Sequence, residues 1–202
     1  MKRVWILTAT LAATLGAPLG CAEGNPETGA AKAVVCQACH GANGNSVNPD
    51  WPSLAGLGAG YITQQLQNFK TGKRSNPIMA ANVMALTADD MADLGAYFAG
   101  LANTGLEADP THRQSGEKLY QAGDKARGIP ACTACHGPTG AGIETAKYPA
   151  LRGQHAPYLA KQLADYASGA RNTGPNGIMP TIAKRLSPDD IRDLTSYVQG
   201  LR

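Results

Sequence analysis

Charge is sparse in this chain: only 16% of its 202 residues are Asp, Glu, Lys or Arg, against 43% hydrophobic. A composition so low in charge and rich in apolar side chains excludes a disordered or fibrous chain. The net charge of +3 does not mark a nucleic-acid binder. Alternating apolar and polar residues are also missing, which argues against a sheet. Past residue 19 no stretch is apolar enough to span a bilayer, so the mature chain is expected to have no transmembrane segment. Halves of about 90 residues would have thin apolar cores, so something besides apolar burial should help hold them. Gly (24) and Pro (13) are plentiful, and much of the backbone must be turn and loop.

The N-terminus is the exception to the lack of apolar runs. Met1, Lys2 and Arg3 precede an uncharged, mostly apolar run from Val4 to about Leu19. That is the pattern of an export signal and is short for a membrane span. Gly20-Cys21-Ala22 offers a small-x-small cleavage site, so residues 1–22 are expected to be removed and the mature chain to start near Glu23. The rival reading makes Cys21 a lipidated first residue, for which Pro18-Leu19-Gly20 is a poor signal.

After cleavage, four of the five cysteines remain, in two C-x-x-C pairs. They belong to a unit written twice. Cys36-Gln37-Ala38-Cys39-His40-Gly41 matches Cys132-Thr133-Ala134-Cys135-His136-Gly137. Pro52, Leu54 and Gly56 answer Pro149, Leu151 and Gly153; Tyr61 with Gln65-Leu66 answers Tyr158 with Gln162-Leu163. Leu86-Thr87-Ala88-Asp89-Asp90 parallels Leu186-Ser187-Pro188-Asp189-Asp190, so the offset drifts from 96 to 100 residues. Two homologous domains are expected, over 23–103 and 112–202, with a linker over 104–111 marked by Gly105 and Pro110.

Each copy reads as helical, so the fold class is all-α. An opening helix is expected from Pro26 to Cys39, and near Gln114 to Ala122 in the second copy. Middle helices follow over about Gly60 to Thr71 and Ala156 to Ser168. The last helix of each copy is expected to be N-capped by Thr87 or Ser187, with Asp90 or Asp190 three residues on. Its apolar positions, Met91, Leu94, Tyr97 and Phe98 or Ile191, Leu194, Tyr197 and Val198, recur at helical spacing.

C-x-x-C-H is the attachment signature for c-type haem. Two thiols three residues apart can reach the two vinyl groups on one porphyrin edge as thioethers, while the adjacent imidazole turns Nε2 to the iron. The rivals are a zinc site, a thioredoxin-like pair and a disulfide. A zinc ribbon brings its pairs within about 20 residues, whereas these are 96 apart. A thioredoxin-like pair needs a βαβ context that is lacking. The expected cofactors are therefore two covalently bound haem c groups on Cys36 and Cys39, and on Cys132 and Cys135, with His40 and His136 as iron ligands.

The sixth iron position separates catalysis from electron transfer, and a methionine thioether completes electron-transfer cytochromes. The second domain has one methionine, Met179, eight residues before Ser187; eight before Thr87 stands Met79. The repeat thus selects Met79 and Met179 as the second axial ligands. Met84 competes in the first domain, but its counterpart is Lys184. Met91 matches Ile191 and reads as core. His112 and His155 lack histidine counterparts and read as surface or supporting residues. Pro52 and Pro149 stand 12 and 13 residues beyond their histidines, where a carbonyl could take the other ring N–H.

Taken together, these motifs, with the final S/T-x-D-D helix ending in Gly-Leu, resemble the dihaem cytochrome c4 family over nearly all of the mature chain. The resemblance implies two class I cytochrome c folds related by a pseudo-twofold axis, with haem propionates near the domain interface. It implies a periplasmic, respiratory electron carrier, passing single electrons from a donor such as a cytochrome bc complex toward an acceptor such as a terminal oxidase, with peripheral membrane association compatible. It also implies that the Pro52 and Pro149 carbonyls orient the histidines. An enzyme, such as a dihaem peroxidase, would need an iron position open to substrate. Two matched methionines argue against that, and no acid/base constellation stands beside either motif. A fixed cytochrome subunit of a larger dehydrogenase or oxidase is the alternative. Charge is unevenly divided: residues 23–110 hold 4 Lys/Arg and 8 Asp/Glu, whereas residues 111–202 hold 12 and 7.

Overall fold

The computed structural model describes residues 24–202, and the expected export signal over 1–22, Cys21 included, lies outside them. In the first half Asn25 accepts hydrogen bonds from the Glu27 and Thr28 amides and starts α1 (Pro26–Lys32), with Pro26 at the first helical position. Proline suits that place because its missing N–H would have no partner there. Then come α2 (Val34–His40), α3 (Ala59–Lys70), α4 (Pro77–Val83) and α5 (Ala88–Ala99). The second half repeats the order with α6 (Pro110–Ala122), α7 (Thr133–His136), α8 (Ala156–Ser168), α9 (Ile178–Ala183) and α10 (Pro188–Gln199). Among the described residues there are no strands, only isolated bridges.

The single opening helix expected over Pro26 to Cys39 is two. At Ala33 a ψ of −12° opens the helical spiral, and its fully buried side chain joins the core. The caps at Thr87 and Ser187 form full capping boxes, each hydroxyl accepting from the Asp90 or Asp190 amide while that carboxylate accepts from the cap amide. Such a cap contributes about 1 kcal/mol.

The first and last helices of each half cross on a glycine. A Cβ on Gly29 would lie 2.1 Å from the Asp93 carbonyl oxygen, and one on Gly116 equally 2.1 Å from that of Asp193. These contacts seat α1 on α5 and α6 on α10. Two separate cores result. Ala33, Leu57, Ile62, Leu94 and Phe98 form one, which Ala150 of the second half joins; Leu119, Tyr120, Ile129, Leu194, Tyr197 and Val198 form the other.

Residues Gly123 to Pro130, without counterpart in the first half, fold into a small loop closed by the Asp124 and Ile129 backbones. Its Arg127 pairs with Asp124 within the loop and with Asp190 at the start of α10. In the first half Lys32 of α1 reaches the equivalent Asp90, at 2.6 Å. The insertion therefore supplies by a loop the cation that the first half supplies from a helix.

The halves meet about a pseudo-twofold axis, recorded in reciprocal contacts. Arg74 donates to Gln65, Tyr158 and Gln162; Arg171 donates to Gln162, Tyr61 and Gln65. Each guanidinium lies over the aromatic ring at one position, Phe69 for Arg74 and Tyr166 for Arg171, with centroids at 4.6 and 4.5 Å. The two arginine backbones form an antiparallel bridge where the axis passes. Like charges buried together repel, so this pair has to be compensated by the groups around it.

Candidate functional site

Each C-x-x-C-H segment ends a helix on its histidine. The next residues, Gly41 and Gly137, take φ of 83° and 75°. Glycine adopts that region freely, and the chain leaves the helix at once. At Gly41 a Cβ would also stand 2.0 Å from the Asn45 carbonyl oxygen. The Tyr120 hydroxyl donates to the Gly137 carbonyl at 2.7 Å and ties down the end of α7.

Both histidines are 7% exposed. Nδ1 of His40 lies 2.8 Å from the Pro52 carbonyl oxygen, and Nδ1 of His136 lies 2.9 Å from that of Pro149. A carbonyl oxygen only accepts, so Nδ1 carries the hydrogen and Nε2 keeps its lone pair. Burial pulls both imidazoles below their ordinary pKa, against the opposing effect of the carbonyl bond. They are thus neutral at physiological pH, the form that ligates a metal.

Cys36, Cys39, Cys132 and Cys135 are all free of disulfides. Cys36 and Cys39 lie three residues apart on α2, and Cys135 lies three residues beyond Cys132, the N-cap of α7 with helical φ and ψ, so the thiols of each pair share a face. Burial pushes the Cys36 thiol up and that of Cys132 up to about 11, so both are protonated at neutral pH. Among the described residues no three His, Cys, Asp or Glu side chains gather to hold a bare metal ion, which leaves the zinc alternative without a site.

Met79 lies in the first turn of α4, where its amide donates to the Asn76 side chain at 3.0 Å, and Met179 lies in the first turn of α9. Both are half-buried, and their helices pack on α3 and α8 respectively. Met84, at the C-terminal end of α4, is 62% exposed. Met91 is core, as expected. The donor set suits a c-type haem twice over: two free thiols on one helical face, an adjacent imidazole with Nε2 available, and a thioether on a separate helix.

The loops that carry the two orienting carbonyls are held differently. In the second half, Ile143 and Tyr148 pair through their backbones and present Pro149. In the first half the partner domain does the holding. The Gln154 amide grips the Ser53 backbone with both ends, accepting from N–H at 2.9 Å and donating to C=O at 2.8 Å. His155 Nε2 donates to the Ser46 carbonyl at 2.8 Å. Glu144 of the second half also accepts from the Gly60 amide at 2.8 Å, capping α3 across the interface. His155, expected at the surface or in support, is buried in the interface; His112 pairs with Asp193. The sequence alone gives no role to Gln154, Glu144 or Arg74, and it counts Arg171 among the partner-facing charges of the basic second half, whereas the structure buries it at the interface. Only the arginines left a signal, standing at the same 97-residue offset as the tyrosines and glutamines they bond.

A fold of two helical domains, each presenting this donor set, defines a tandem c-type cytochrome. The family model for cytochrome c matches residues 27–102 and again 114–202. Cytochrome c4 of Pseudomonas aeruginosa is 47% identical over 96% of this chain and 98% of its own length. The crystal structure of reduced cytochrome c4 from Pseudomonas stutzeri superposes with a TM-score of 0.86 at 43% identity, covering 89% of this chain and all (100%) of that one. Thiosulfate dehydrogenase from Marichromatium purpuratum matches with a TM-score of 0.79 at 33% identity, over 87% of this chain and 40% of that chain. The chain belongs to the cytochrome c family and, within it, to the dihaem cytochromes c4. It is an electron-transfer cytochrome that takes two covalently bound haem c groups and works with redox partners.

Proposed function

We propose that the chain is a periplasmic carrier that passes single electrons along a respiratory chain toward a terminal oxidase, without substrate chemistry of its own. Cys36 and Cys39 would hold the first haem, with His40 and Met79 as its iron ligands; Cys132 and Cys135 would hold the second, with His136 and Met179. When bound, each haem supplies a one-electron ferric/ferrous couple. The protein's part is to fix the ligands. The Pro52 and Pro149 carbonyls hold the imidazoles in one tautomer and make them better donors. The methionine thioethers would serve as the second protein ligands to each iron and raise its potential. The observation that supports this reading best is the duplication itself, because both domains present the same histidine lock and the same first-turn methionine. An enzyme would leave one position open. Among the described residues no helix is long and apolar enough to cross a membrane.

The test is a haem count on the exported protein. Acid-acetone should leave two haems per chain attached to the polypeptide, and a ratio near one would overturn the assignment. A second reading, a fixed subunit that accepts electrons within an oxidising enzyme, is favoured by the match to part of a thiosulfate dehydrogenase. Stoichiometric copurification with a catalytic subunit would select it over the free carrier.

A further inference from the structure

We infer that Gln154, carried by the second half, is a positioning residue for the haem of the first: it takes the N–H of the Pro52–Ser53 peptide whose C=O holds the His40 ring, and so sets how strongly that imidazole binds its iron. This rests on the reading of His40 as a haem ligand. Two hydrogen bonds meet on one peptide group. Its carbonyl oxygen, on Pro52, accepts from His40 Nδ1 at 2.8 Å, and its N–H, on Ser53, donates to Gln154 Oε1 at 2.9 Å. Gln154 Nε2 donates to the Ser53 carbonyl at 2.8 Å, and Oε1 also accepts from the His155 amide at 3.2 Å. An N–H demands the oxygen end of the glutamine and a carbonyl demands the nitrogen end, so its orientation is settled. Gln154 and Ser53 are only 4% and 3% exposed, and water does not compete for these bonds.

The second half offers the control. Both loops pass their next two amides to a glycine carbonyl, Leu54 and Ala55 to Gly44, Leu151 and Arg152 to Gly140. Both make the same bond from histidine to proline carbonyl. They part at the peptide in between. Ala150 stands in place of Ser53, and its amide finds no backbone acceptor among the described residues. Leu57 stands where Gln154 would, in the core that Ala150 joins, and has no acceptor to offer. On this peptide the pseudo-symmetry is broken by one hydrogen bond, and it is broken behind one histidine only. The first loop is also pinned from its other side: His155 Nε2 donates to the Ser46 carbonyl at 2.8 Å, and the Ser46 amide donates to Ser53 Oγ at 3.1 Å.

The consequence is electronic. Linked hydrogen bonds in a protein interior polarise one another, strengthening each by about 10 to 30%. Pulling on the Ser53 N–H moves electron density toward the Pro52 oxygen, which then draws harder on the His40 Nδ1–H. The ring becomes a more basic donor through Nε2. A more basic ligand favours ferric iron. Gln154 therefore lowers the potential of the first haem, and the second haem, whose histidine has no such partner behind it, is left where its own carbonyl puts it.

The experiment is spectroelectrochemical titration of the holoprotein and of its Gln154→Leu and Gln154→Glu variants, with the two couples assigned by Met79→Ala, which displaces that of the first haem. Gln154→Leu should shift the first couple toward ferrous by about threefold in equilibrium constant, about 28 mV at 59 mV per tenfold for a one-electron couple. The second couple should stay in place. Gln154→Glu, which keeps an oxygen for the Ser53 N–H, should return the first couple to the parent value or below it. A folded Gln154→Leu with its first couple unmoved or lowered would overturn the proposal. Equal shifts of both couples, or a shift of the second alone, would overturn it as well, since a loosened interface acts on both halves. A rise in Gln154→Glu as large as that in Gln154→Leu would mean that packing, not the acceptor, is at work. If neither variant folds, the parent decides: in proton NMR of the ferrous protein the His40 Nδ1–H should resonate downfield of the His136 Nδ1–H, as the stronger hydrogen bond, and coincident or reversed positions would overturn the proposal. A parent with one haem, or without His40 as a ligand, would sink the haem reading itself rather than the role of Gln154.

Discussion

At the scale of single residues, the two histidines are chosen by what holds their far nitrogen. His40 and His136 each give Nδ1–H to a proline carbonyl, so one ring orientation is selected before any iron arrives. The methionines are chosen less directly. Met79 and Met179 begin equivalent helices, whereas Met84 ends one and stands 62% exposed. Replacing Met79 by Ala should therefore abolish the thioether-to-ferric charge-transfer band of one haem in the red. It should also lower that haem's potential by tens to hundreds of millivolts, within the roughly 0.8 V span that axial ligands command. Met84→Ala should leave both band and potential in place. The reverse pattern would show that the repeat alignment picked the wrong sulfur. The eight proposed cofactor contacts were legible because haem attachment is written in contiguous residues and the methionines stand at fixed distances from a helix cap. Gln154 and His155 were not legible, since their partners Ser53 and Ser46 lie 101 and 109 residues away. Nothing in the repeat pointed to them either, because Leu57 and Gly58 occupy the matching places in the first half.

At the scale of elements, the helices that carry a local signal came through and the rest did not. The caps at Thr87 and Ser187 are set by residues three apart, so the starts of α5 and α10 could be read from the chain. The break at Ala33 could not, because neither glycine nor proline marks it; it is fixed by packing of Ala33 into the core. The loop from Gly123 to Pro130 was visible only as an insertion, and its role emerges from Arg127 reaching Asp190, 63 residues away. This latch makes an acid prediction. The Arg127 bond comes first among the causes that hold the Asp190 carboxyl down to about 2 from an ordinary 3.8; burial opposes it, and the Ser187 hydrogen bonds add to it. A carboxylate with a depressed folded pKa contributes stability that is full above about pH 4 and is lost as pH falls toward 2. Thermal melts of the holoprotein should therefore show Arg127→Ala a few degrees less stable than the parent at pH 7, with the two curves converging near pH 2. A constant gap down to pH 2 would mean that Arg127 acts through packing alone.

At the scale of the whole molecule, the two halves differ in charge more than in shape. The first half is net acidic and the second net basic, as 4 Lys/Arg against 8 Asp/Glu becomes 12 against 7. Part of this difference is not surface, since Arg171 is buried on the axis and Asp93 is engaged by Lys32. The exposed remainder includes Asp89 and Asp50 in one half and Lys161 and Lys184 in the other. A carrier with unlike ends should meet a basic partner through its first half and an acidic one through its second, with each encounter slowed as salt screens it over a Debye length of about 8 Å at physiological ionic strength. Stopped-flow reduction and oxidation against the physiological partners, across ionic strength, should show both rates falling with salt. Asp89→Lys should slow only the reaction with the basic partner, and Lys184→Glu only that with the acidic one, each by severalfold at low salt and by little at high salt. The interface makes the assignment clean, because neither residue takes part in the contacts that join the halves. Equal effects of either reversal on both reactions would mean that one face serves both partners. Rates indifferent to salt and to both reversals would leave the asymmetry a matter of surface composition, and the electron would then enter and leave under the guidance of contact shape alone.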